Sequence, residues 1–308
     1  MDICKDKLSF SKINNLALSP QRFLDECSSS YHARVSQAAE RIYNDGNVKF
    51  VMLAGPSSSG KTTTADLLSD KISALGCKAY VVSLDDFYLP HSEEYPTDEN
   101  GEPDYECVEA LDLELMRSSF LSLSESGRAE LPVFDFKSGE RINNAKTIKL
   151  GENDVIIFEG LHALNPVVSD ALDAKSLFKI YVSVSSRVYE NDGSVLLSKR
   201  DLRFTRRMVR DFSFRSMSVE RTFDIWGSVM RGEDKYLFPY ESLADVKLDS
   251  FHPCEPCVLA PKAVELLSQV RDGEFKEKAS TLSEKLKLFK NIDYSYLPQN
   301  SLLREFTG

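Results

Sequence analysis

Short apolar runs alternate along the chain with segments whose apolar residues recur at helical spacing. Runs of strand length lie at residues 49–54, 77–84, 154–160, 178–184 and 245–248. Segments with helical spacing lie at residues 20–44, 63–75, 108–123, 199–215 and 258–270. Strands that alternate with helices build a parallel sheet covered by helices on both faces. The pattern therefore predicts an α/β fold, to which residues 131–136 and 146–150 add a small β-hairpin.

The junction between the first predicted strand and the helix that follows it carries a glycine-rich loop. Residues 55–62 read Gly-Pro-Ser-Ser-Ser-Gly-Lys-Thr, which matches the pattern G-x-x-x-x-G-K-[ST] at every fixed position. Gly55 and Gly60 can adopt backbone angles that a Cβ would penalise, so successive N–H groups converge on phosphate oxygens at the positive end of the helix. The sequence therefore predicts a cradle for the phosphates of a nucleotide.

Side chains of this loop complete the predicted phosphate site. Lys61 is placed to reach the β- and γ-phosphates of ATP, and the Thr62 hydroxyl is placed to bind Mg²⁺. ATP and Mg²⁺ are therefore the expected donor and cofactor. The residues predicted to bind the phosphates are Gly55, Ser57, Ser58, Ser59, Gly60, Lys61, Thr62 and Thr63.

Acidic residues follow two of the other predicted strands. Asp85 and Asp86 come directly after the run 77–84, and Glu159 lies at the end of the run 154–160. In an open parallel sheet the carboxyl ends of the strands lie at one edge, beside the loop that binds phosphate. Asp85 is therefore a candidate base for an acceptor hydroxyl, and Glu159 a candidate ligand for Mg²⁺. An aspartate pair alone also suits a turn or a helix cap, so this interpretation depends on the phosphate loop.

Composition and charge narrow the class of partner. The 308 residues carry a net charge of −10, and the segment from Asp85 to Leu115 holds twelve Asp or Glu and no Lys or Arg. Such a surface repels a phosphate backbone, which argues against nucleic acid as a partner. No run approaches the roughly 18 to 20 apolar residues of a membrane span, and the first residues lack the apolar core of a signal peptide. We therefore expect a cytoplasmic protein without a membrane partner.

The segment from Lys199 to Arg215 is strongly basic, with seven Lys or Arg. Apolar residues form an adjacent face, so one side of the predicted helix can pack while the other meets anions. A solvated basic face is the alternative interpretation, but the phosphate loop favours an anion site. The arginines that recur at spacings of 3, 4 and 3 residues are Arg200, Arg203, Arg207 and Arg210.

These motifs together resemble the uridine kinase and phosphoribulokinase family, and more closely its bacterial nucleoside kinase branch. The likeness covers residues 49–270, and the ending Pro298-Gln-Asn-Ser-Leu-Leu-Arg-Glu-Phe-Thr-Gly308 also looks like that branch. The resemblance implies a P-loop NTPase-type sheet and a lid helix over the phosphates. It also implies transfer of the γ-phosphoryl group of ATP to a nucleoside 5′-hydroxyl.

The resemblance implies roles for residues in several segments. Ser83-Leu-Asp-Asp-Phe-Tyr88 is similar to the segment that carries the family's base and a pocket tyrosine, here Asp85 and Tyr88. The hairpin Pro132-Val-Phe-Asp-Phe136 resembles one that contributes an aromatic to the nucleoside pocket, here Phe134. Tyr105 is a further aromatic near the segments that line that pocket.

Two further segments resemble the parts of the family that surround the phosphates. Phe158-Glu-Gly160 looks like the strand that ends at the metal site. Arg206-Arg207-Met-Val-Arg210-Asp211 is similar to the lid helix, which implies phosphate contacts for Arg207 and Arg210. Arg215 matches a further arginine of the family. The resemblance thus implies a catalytic set of Asp85, Lys61, Arg207 and Arg210, a metal pair of Thr62 and Glu159, and substrate contacts from Asp85, Tyr88, Tyr105, Phe134, Arg207 and Arg215.

Two positions depart from the family's pattern. A histidine that contacts the base in uridine–cytidine kinases is replaced by Gly139, and an arginine beyond the lid helix by Met217. We therefore expect weak discrimination between bases, with uridine or cytidine modestly favoured. Two alternatives stay open: a kinase of another small hydroxyl compound, such as a sugar phosphate or pantothenate, and a regulator that binds ATP without phosphorylating anything.

The predicted elements divide the chain into three ranges. Residues 1–45 are predicted to form a helical N-terminal extension, residues 46–272 the P-loop kinase domain, and residues 273–308 a helical C-terminal tail. The expected partners are ATP and a small-molecule nucleoside. The sequence leaves open whether the chain forms a homo-oligomer.

Overall fold

The computed structural model describes residues 8–97 and 101–308. Its strands are β1 (Leu8–Ser9), β2 (Phe50–Ala54), β3 (Ala79–Ser83), β4 (Arg128–Asp135), β5 (Glu140–Lys149), β6 (Val155–Glu159), β7 (Leu177–Ser183), β8 (Val188–Tyr189), β9 (Val195–Leu197) and β10 (Val246–Asp249). Its α-helices are α1 (Phe10–Leu16), α2 (Pro20–Asp45), α3 (Lys61–Ala74), α4 (Leu113–Ser126), α5 (Pro166–Ser169), α6 (Lys199–Arg215), α7 (Val219–Tyr236), α8 (Glu255–Leu267), α9 (Lys276–Leu286) and α10 (Arg304–Thr307). Short 3₁₀ turns lie at Leu84–Phe87, Val108–Ala110, Ala174–Ser176, Phe238–Leu243 and Tyr294–Tyr296.

Five strands form one parallel sheet in the order β10–β7–β2–β6–β3. Strand β2, which leads into the phosphate loop, lies at the centre and pairs with β6 on one side and β7 on the other. Strands β3 and β10 form the two edges. The predicted parallel α/β sheet is confirmed, and its order places the acidic ends of β3 and β6 on the same side of the phosphate loop.

Alternate residues of β2 point to opposite faces of the sheet. Val51 and Leu53 belong to the larger hydrophobic cluster, which also contains residues of α2, α3 and α8. Phe50 and Met52 belong to a second cluster, which contains residues of α4 and β4. All five residues of the strand are buried. Because helices cover both faces, the strand appears in the sequence as a continuous apolar run.

Strands β4 and β5 form an antiparallel hairpin that is separate from the main sheet. The predicted hairpin is confirmed, but both strands are longer than the predicted ranges 131–136 and 146–150. Most residues of β5 are exposed and polar, so its pairing leaves little apolar pattern in the sequence. The register of the hairpin shifts at Pro132, which has no N–H to donate to the partner strand.

Helix α7 and the small sheet of β1, β8 and β9 have no counterpart among the predicted elements. The hydroxyl of Ser218 accepts the N–H of Arg221 and caps α7. The buried face of this helix includes Thr222, Gly232 and Glu233, which interrupt the apolar periodicity. Strands of two or three residues are too short to show an alternation of their own.

Two predicted helices begin at other residues. Helix α4 begins at Leu113 rather than at residue 108, because the Asp112 side chain accepts the N–H of Leu115 and caps the helix there. Helix α8 begins at Glu255, three residues before the predicted start, with Pro256 in its first turn. Proline fits this position because the first N–H groups of a helix have no partner within it.

The longest described helix, α2, has 26 residues. Charged residues recur along it, and Arg22 and Glu26 form an exposed pair one turn apart. Within residues 8–97 and 101–308, no helix is both long enough and apolar enough to cross a membrane.

Helix α2 and the C-terminal residues join the same core as the central sheet. Leu24 of α2 and Leu303 and Phe306 near the C-terminus are buried in the larger cluster together with Val51. The division of the chain at residues 45 and 272 stays a prediction, but the packing is continuous across both positions.

We expect Phe306→Ala to lower the free energy of unfolding by about 3–5 kcal/mol, because it removes a fully buried ring from the core. Urea unfolding followed by circular dichroism would measure the loss. The control is Phe136→Ala, the same substitution at a side chain that is 64% exposed, for which we expect a change within about 0.5 kcal/mol. Equal effects of the two substitutions would show that the C-terminal residues contribute little to the core.

Candidate active site

The phosphate loop depends on two glycines for different reasons. Gly60 has a φ of +86° at the start of α3, and a Cβ there would lie 2.7 Å from Cδ1 of Leu302. Gly55 lies so close to β7 that a Cβ would collide with the carbonyl oxygen of Val182. Ser58 has a φ of +58°, so the loop also takes a left-handed turn at a residue that the sequence did not mark. The predicted freedom of backbone angle is confirmed at Gly60, while Gly55 is required for close approach.

Lys61 and Thr63 lie in the first turn of α3, where the backbone N–H groups have no partner within the helix. The Nζ atom of Lys61 donates to the carbonyl oxygen of Pro56 at 3.3 Å, so its ammonium group lies over the loop. The Oγ1 atom of Thr63 donates to Oε2 of Glu305 at 2.6 Å. The structure therefore pairs a predicted phosphate ligand with a carboxylate that the sequence analysis did not single out.

Helix α6 holds the phosphate loop through buried arginines. The Nε atom of Arg203 donates to the carbonyl oxygen of Ser57 at 3.0 Å, and Arg206 donates to that of Ser58 at 3.3 Å. Arg207 donates to the Ser57 hydroxyl at 2.6 Å. These three side chains are buried and bonded to the loop, which does not fit the alternative of a solvated basic face.

Two buried carboxylates compensate the charge of these arginines. Arg203 pairs with Glu233, and Arg206 pairs with Glu255. Oε1 of Glu233 also accepts the N–H of Ser57 at 2.8 Å. The partners lie 30 and 49 positions apart in the chain, so no local spacing in the sequence could identify them.

The carboxylate of Asp211 gathers the remaining arginines of the helix. Its Oδ1 atom accepts from Nε of Arg210 at 3.0 Å, and it lies 3.6 Å from Nε of Arg215. Nε of Arg207 lies 3.1 Å from Oδ2 of Asp211, which is within ion-pair distance although the angle does not meet hydrogen-bond geometry. Asp211 is fully buried, so it fixes the position of the three arginines that the resemblance assigned to the phosphates.

The adjacent carboxylates Asp85 and Asp86 have different surroundings. Asp85 lines a cavity together with Lys61; burial raises the pKa of Asp85, and the positive charge of Lys61 opposes the rise. Asp86 accepts the N–H of Phe134 at 3.2 Å and pairs with Lys146 at 3.2 Å. Asp86 therefore holds the hairpin at the end of β3, whereas Asp85 lines the cavity beside Lys61.

The two residues predicted to bind magnesium meet at the end of β6. Oγ1 of Thr62 donates to Oε1 of Glu159 at 3.2 Å. Burial raises the pKa of Glu159 to about 7; the charge of Lys61 opposes the rise and that of Asp85 adds to it. Hydroxyl and carboxylate oxygens are the ligands that Mg²⁺ prefers. A cation here would also offset the repulsion between the carboxylates, so the residues present fit Mg²⁺.

Glu106 is a candidate site residue that the sequence analysis missed. It lines the same cavity as Asp85 and Lys61. Burial raises the pKa of Glu106 to about 7, and the positive charge of Arg207 opposes the rise. A carboxylate with a shifted pKa in a cleft often has a functional role. In the sequence Glu106 is one of twelve acidic residues in a single stretch, and nothing there separates it from the others.

One cavity of about 820 Å³ contains most of the predicted site residues. The predicted residues that line it are Ser57, Ser58, Gly60, Lys61, Thr62, Asp85, Tyr88, Glu159, Arg207, Arg210 and Arg215. Further walls come from Glu106, Phe136, Phe214 and Glu305. The predicted residues outside its lining are Gly55, Ser59, Thr63, Tyr105 and Phe134.

Aromatic rings cluster beside this cavity. The ring of Tyr88 lies 5.8 Å from that of Phe134 and 6.0 Å from that of Phe136, measured between centroids. Phe136 lines the cavity, and Phe134 is buried behind it. Tyr105 is half exposed and lines a neighbouring cavity of about 350 Å³, which shares Glu106 with the first. The predicted pocket aromatics therefore lie together, with Phe136 rather than Phe134 on the wall.

The ring of His91 occupies the space beside Gly139. A Cβ on Gly139 would collide with Nδ1 of the His91 ring. The backbone N–H of His91 donates to the carbonyl oxygen of Gly139 at 2.9 Å. The same ring lies 6.0 Å from that of Phe134 and 6.2 Å from that of Tyr105. A polar ring therefore lies where a side chain at residue 139 would be, and a different loop supplies it.

Three features define the class of the protein as a P-loop phosphotransferase. A phosphate loop follows the central parallel strand, the neighbouring strand ends in a carboxylate, and a helix rich in arginine contacts the loop. The model of the Phosphoribulokinase / Uridine kinase family matches residues 50–254. The chain belongs to this family. Kinases of this family transfer a phosphoryl group to an alcohol acceptor and generally use ATP with Mg²⁺.

Comparisons with individual proteins agree with this class. The uridine kinases of Staphylococcus aureus strains JH9 and Newman are each 29% identical to the chain over 196 residues, which is 63% of this chain and 84% of the relative. A protein of Silicibacter sp. TM1040 that is assigned as a fructose transport system kinase has a TM-score of 0.53 at 20% identity, and covers 69% of this chain and 98% of its own. That likeness shows the shared fold alone.

We expect Asp211→Asn to lower the free energy of unfolding by about 3–5 kcal/mol, because it leaves buried arginines without their counter-charge. It should also lower kcat about tenfold or more, since Arg207 and Arg210, the arginines expected to contact the phosphates, would lose the carboxylate that positions them. Urea unfolding and steady-state kinetics would measure the two effects.

The matched control is Asp234→Asn, which removes the partner of Arg200 from a pair whose side chains are more than half exposed. Exposed pairs contribute about 0–1 kcal/mol, so this variant should resemble the wild type. If Asp211→Asn changed the free energy of unfolding and kcat as little as the control does, Asp211 would not be needed to position the arginines.

Proposed function

We propose that the protein is an ATP-dependent nucleoside kinase that transfers the γ-phosphoryl group to a 5′-hydroxyl. The observation that carries this proposal is the shared cavity. Asp85 and Lys61 line it together with the rings of Tyr88 and Phe136, so a candidate base, a phosphate ligand and an aromatic wall surround one space. An aromatic wall suits a nucleobase because every base presents a face that can stack.

On the donor side, the chain binds and neutralises phosphate. Lys61 and the N–H groups of the loop hold the β- and γ-phosphates at the positive end of α3. Arg207 and Arg210, positioned by Asp211, offset the charge that develops on the transferred group. Thr62 and Glu159 would hold Mg²⁺, which would supply positive charge beside the phosphates and neutralise part of their negative charge.

On the acceptor side, Asp85 orients the hydroxyl and accepts its proton. Burial raises the pKa of this carboxylate and makes it a stronger base, while the neighbouring charge of Lys61 favours the ionised form. Glu106 lines the same cavity and can accept hydrogen bonds from sugar hydroxyls. The ring of His91 is exposed and lies outside the lining of the main cavity, so Gly139 leaves no buried polar side chain in its place, and we expect only modest discrimination between bases.

The second candidate is a kinase of another small hydroxyl compound, such as a sugar phosphate or pantothenate. An uncharged acceptor fits the carboxylates Asp85 and Glu106 better than a phosphorylated acceptor, because like charges repel across the cavity. A regulator that binds ATP without catalysis would not need a carboxylate beside Lys61 in the cavity of the phosphate loop. These points favour a nucleoside.

Purified protein with ATP and Mg²⁺ would be assayed with uridine, cytidine, adenosine, guanosine and inosine, and separately with pentose phosphates, fructose, glycerate and pantothenate. We expect turnover of nucleosides, with values of kcat/KM that differ modestly between bases. A preference for one pyrimidine above about 10⁴-fold would contradict the weak-discrimination argument. Turnover of a compound from the second group without any nucleoside would overturn the proposal.

We expect Asp85→Asn to lower kcat by about 10²- to 10⁴-fold with little change in ATP affinity, because the amide cannot accept the proton of the acceptor. Steady-state kinetics with both substrates varied would separate the two parameters.

The control is Asp86→Asn, the same change one residue away. The amide oxygen of Asn can still accept the N–H of Phe134, and only the ion pair with the half-exposed Lys146 is lost. We expect a small loss of stability and nearly unchanged kcat. A larger loss of kcat at residue 86 than at residue 85 would show that the wrong aspartate has been assigned.

A further inference from the structure

The C-terminal segment from Pro298 to Gly308 packs directly on the phosphate loop. The side chain of Leu302 lies against Gly60, so close that a Cβ on the glycine would reach within 2.7 Å of Cδ1. The buried ring of Phe306 lies 5.1 Å from the guanidinium carbon of Arg206, which itself donates to the loop. The segment is therefore part of the wall around the nucleotide site.

Arg304 holds this segment in one conformation. Its guanidinium donates to the carbonyl oxygens of Pro298 at 3.0 Å, Leu297 at 2.6 Å and Gly308 at 2.8 Å. Leu303 is fully buried beside it. The backbone on either side of Glu305 is therefore fixed by bonds and packing, and the carboxylate is held at a defined place.

The carboxylate of Glu305 is held at the hydroxyl of Thr63, one of the residues predicted to bind phosphate. Oε2 of Glu305 accepts from Oγ1 of Thr63 at 2.6 Å, in the first turn of α3. Glu305 also lines the main cavity together with Lys61 and Arg210. Its carboxylate is an anion at the positive end of the helix, which is the position that a nucleotide phosphate takes in such a loop.

We propose that Glu305 belongs to the nucleotide site and lowers its affinity for nucleotide phosphates. The Glu305 carboxylate accepts the hydrogen bond of the Thr63 hydroxyl that a phosphate oxygen would otherwise accept, and a bound nucleotide must displace the carboxylate. The inference rests on the proposed binding of ATP at the phosphate loop. Because the carboxylate and the phosphates carry the same charge and compete for the same hydroxyl, the C-terminal segment weakens nucleotide binding and favours release of the product nucleotide.

The test is the affinity of Glu305→Gln for adenosine, ADP and ATP, measured by calorimetry with Mg²⁺. The amide keeps the size of the side chain and its hydrogen bond to Thr63 but removes the charge. We expect ADP and ATP to bind about tenfold more tightly, and adenosine to bind within about twofold of the wild type, because it has no phosphate. Glu305→Asp, which withdraws the charge by one methylene, should move affinity in the same direction.

Two controls isolate the contact. Glu277→Gln makes the same charge change at an exposed position of α9 and should leave all three affinities unchanged. In a Thr63→Val background, Glu305→Gln should change ADP affinity by less than about threefold, because the hydroxyl that holds the carboxylate is gone.

Unchanged affinity for ADP and ATP in Glu305→Gln would overturn the inference. An equal change in the affinity for adenosine would also overturn it, because adenosine has no phosphate and the change would then be structural. Weaker binding of ATP with unchanged binding of 2′-deoxy-ATP would overturn it in favour of a contact to the ribose. If the wild-type protein bound no ATP at all, the proposed function itself would fail, which is a distinct result.

Discussion

The shape of the phosphate loop depends on two buried ion pairs between α6 and the rest of the core. Arg203 and Arg206 each use part of their guanidinium to hold a loop carbonyl and another part to meet Glu233 or Glu255. Removing one partner of such a pair costs about 3–5 kcal/mol, because a charge then remains buried without compensation. Helix α6 is therefore fixed to the loop at these positions. This attachment also places the other arginines of the helix, Arg207 and Arg210, in the lining of the cavity.

The cavity beneath the helix concentrates charge of both signs. Asp85 and Glu159 lie within reach of Lys61, and burial raises the pKa of each carboxylate. Repulsion between the carboxylates is relieved by a cation, which fits the pair of Thr62 and Glu159. The arginines that pair with Asp211 add positive charge to the lining of the same cavity. The lining therefore combines carboxylates with guanidinium groups, and this combination suits a polyanion that binds together with a cation.

The C-terminal residues also contact the phosphate loop and its helix. Leu302 packs on Gly60, and the carboxylate of Glu305 accepts a hydrogen bond from the hydroxyl of Thr63. The sequence marked the ending of the chain only through its resemblance to one branch of the family. Its contacts show what this segment contributes: Leu302 fills space against the loop, and Glu305 places one charge there.

The sequence by itself determined the elements that depend on local pattern. Apolar runs and helical spacing were enough to predict the parallel sheet, and the fixed positions of the loop 55–62 were enough to predict the phosphate cradle. Only the tertiary structure decided which distant residues complete the site. Three glutamates carry no local signal, because each acts through a residue that is distant in the chain. Glu106 lies near Arg207. Glu233 pairs with Arg203, 30 positions away, and Glu305 accepts from Thr63, 242 positions away. Burial and charge compensation act between elements, so they appear only when the chain has folded.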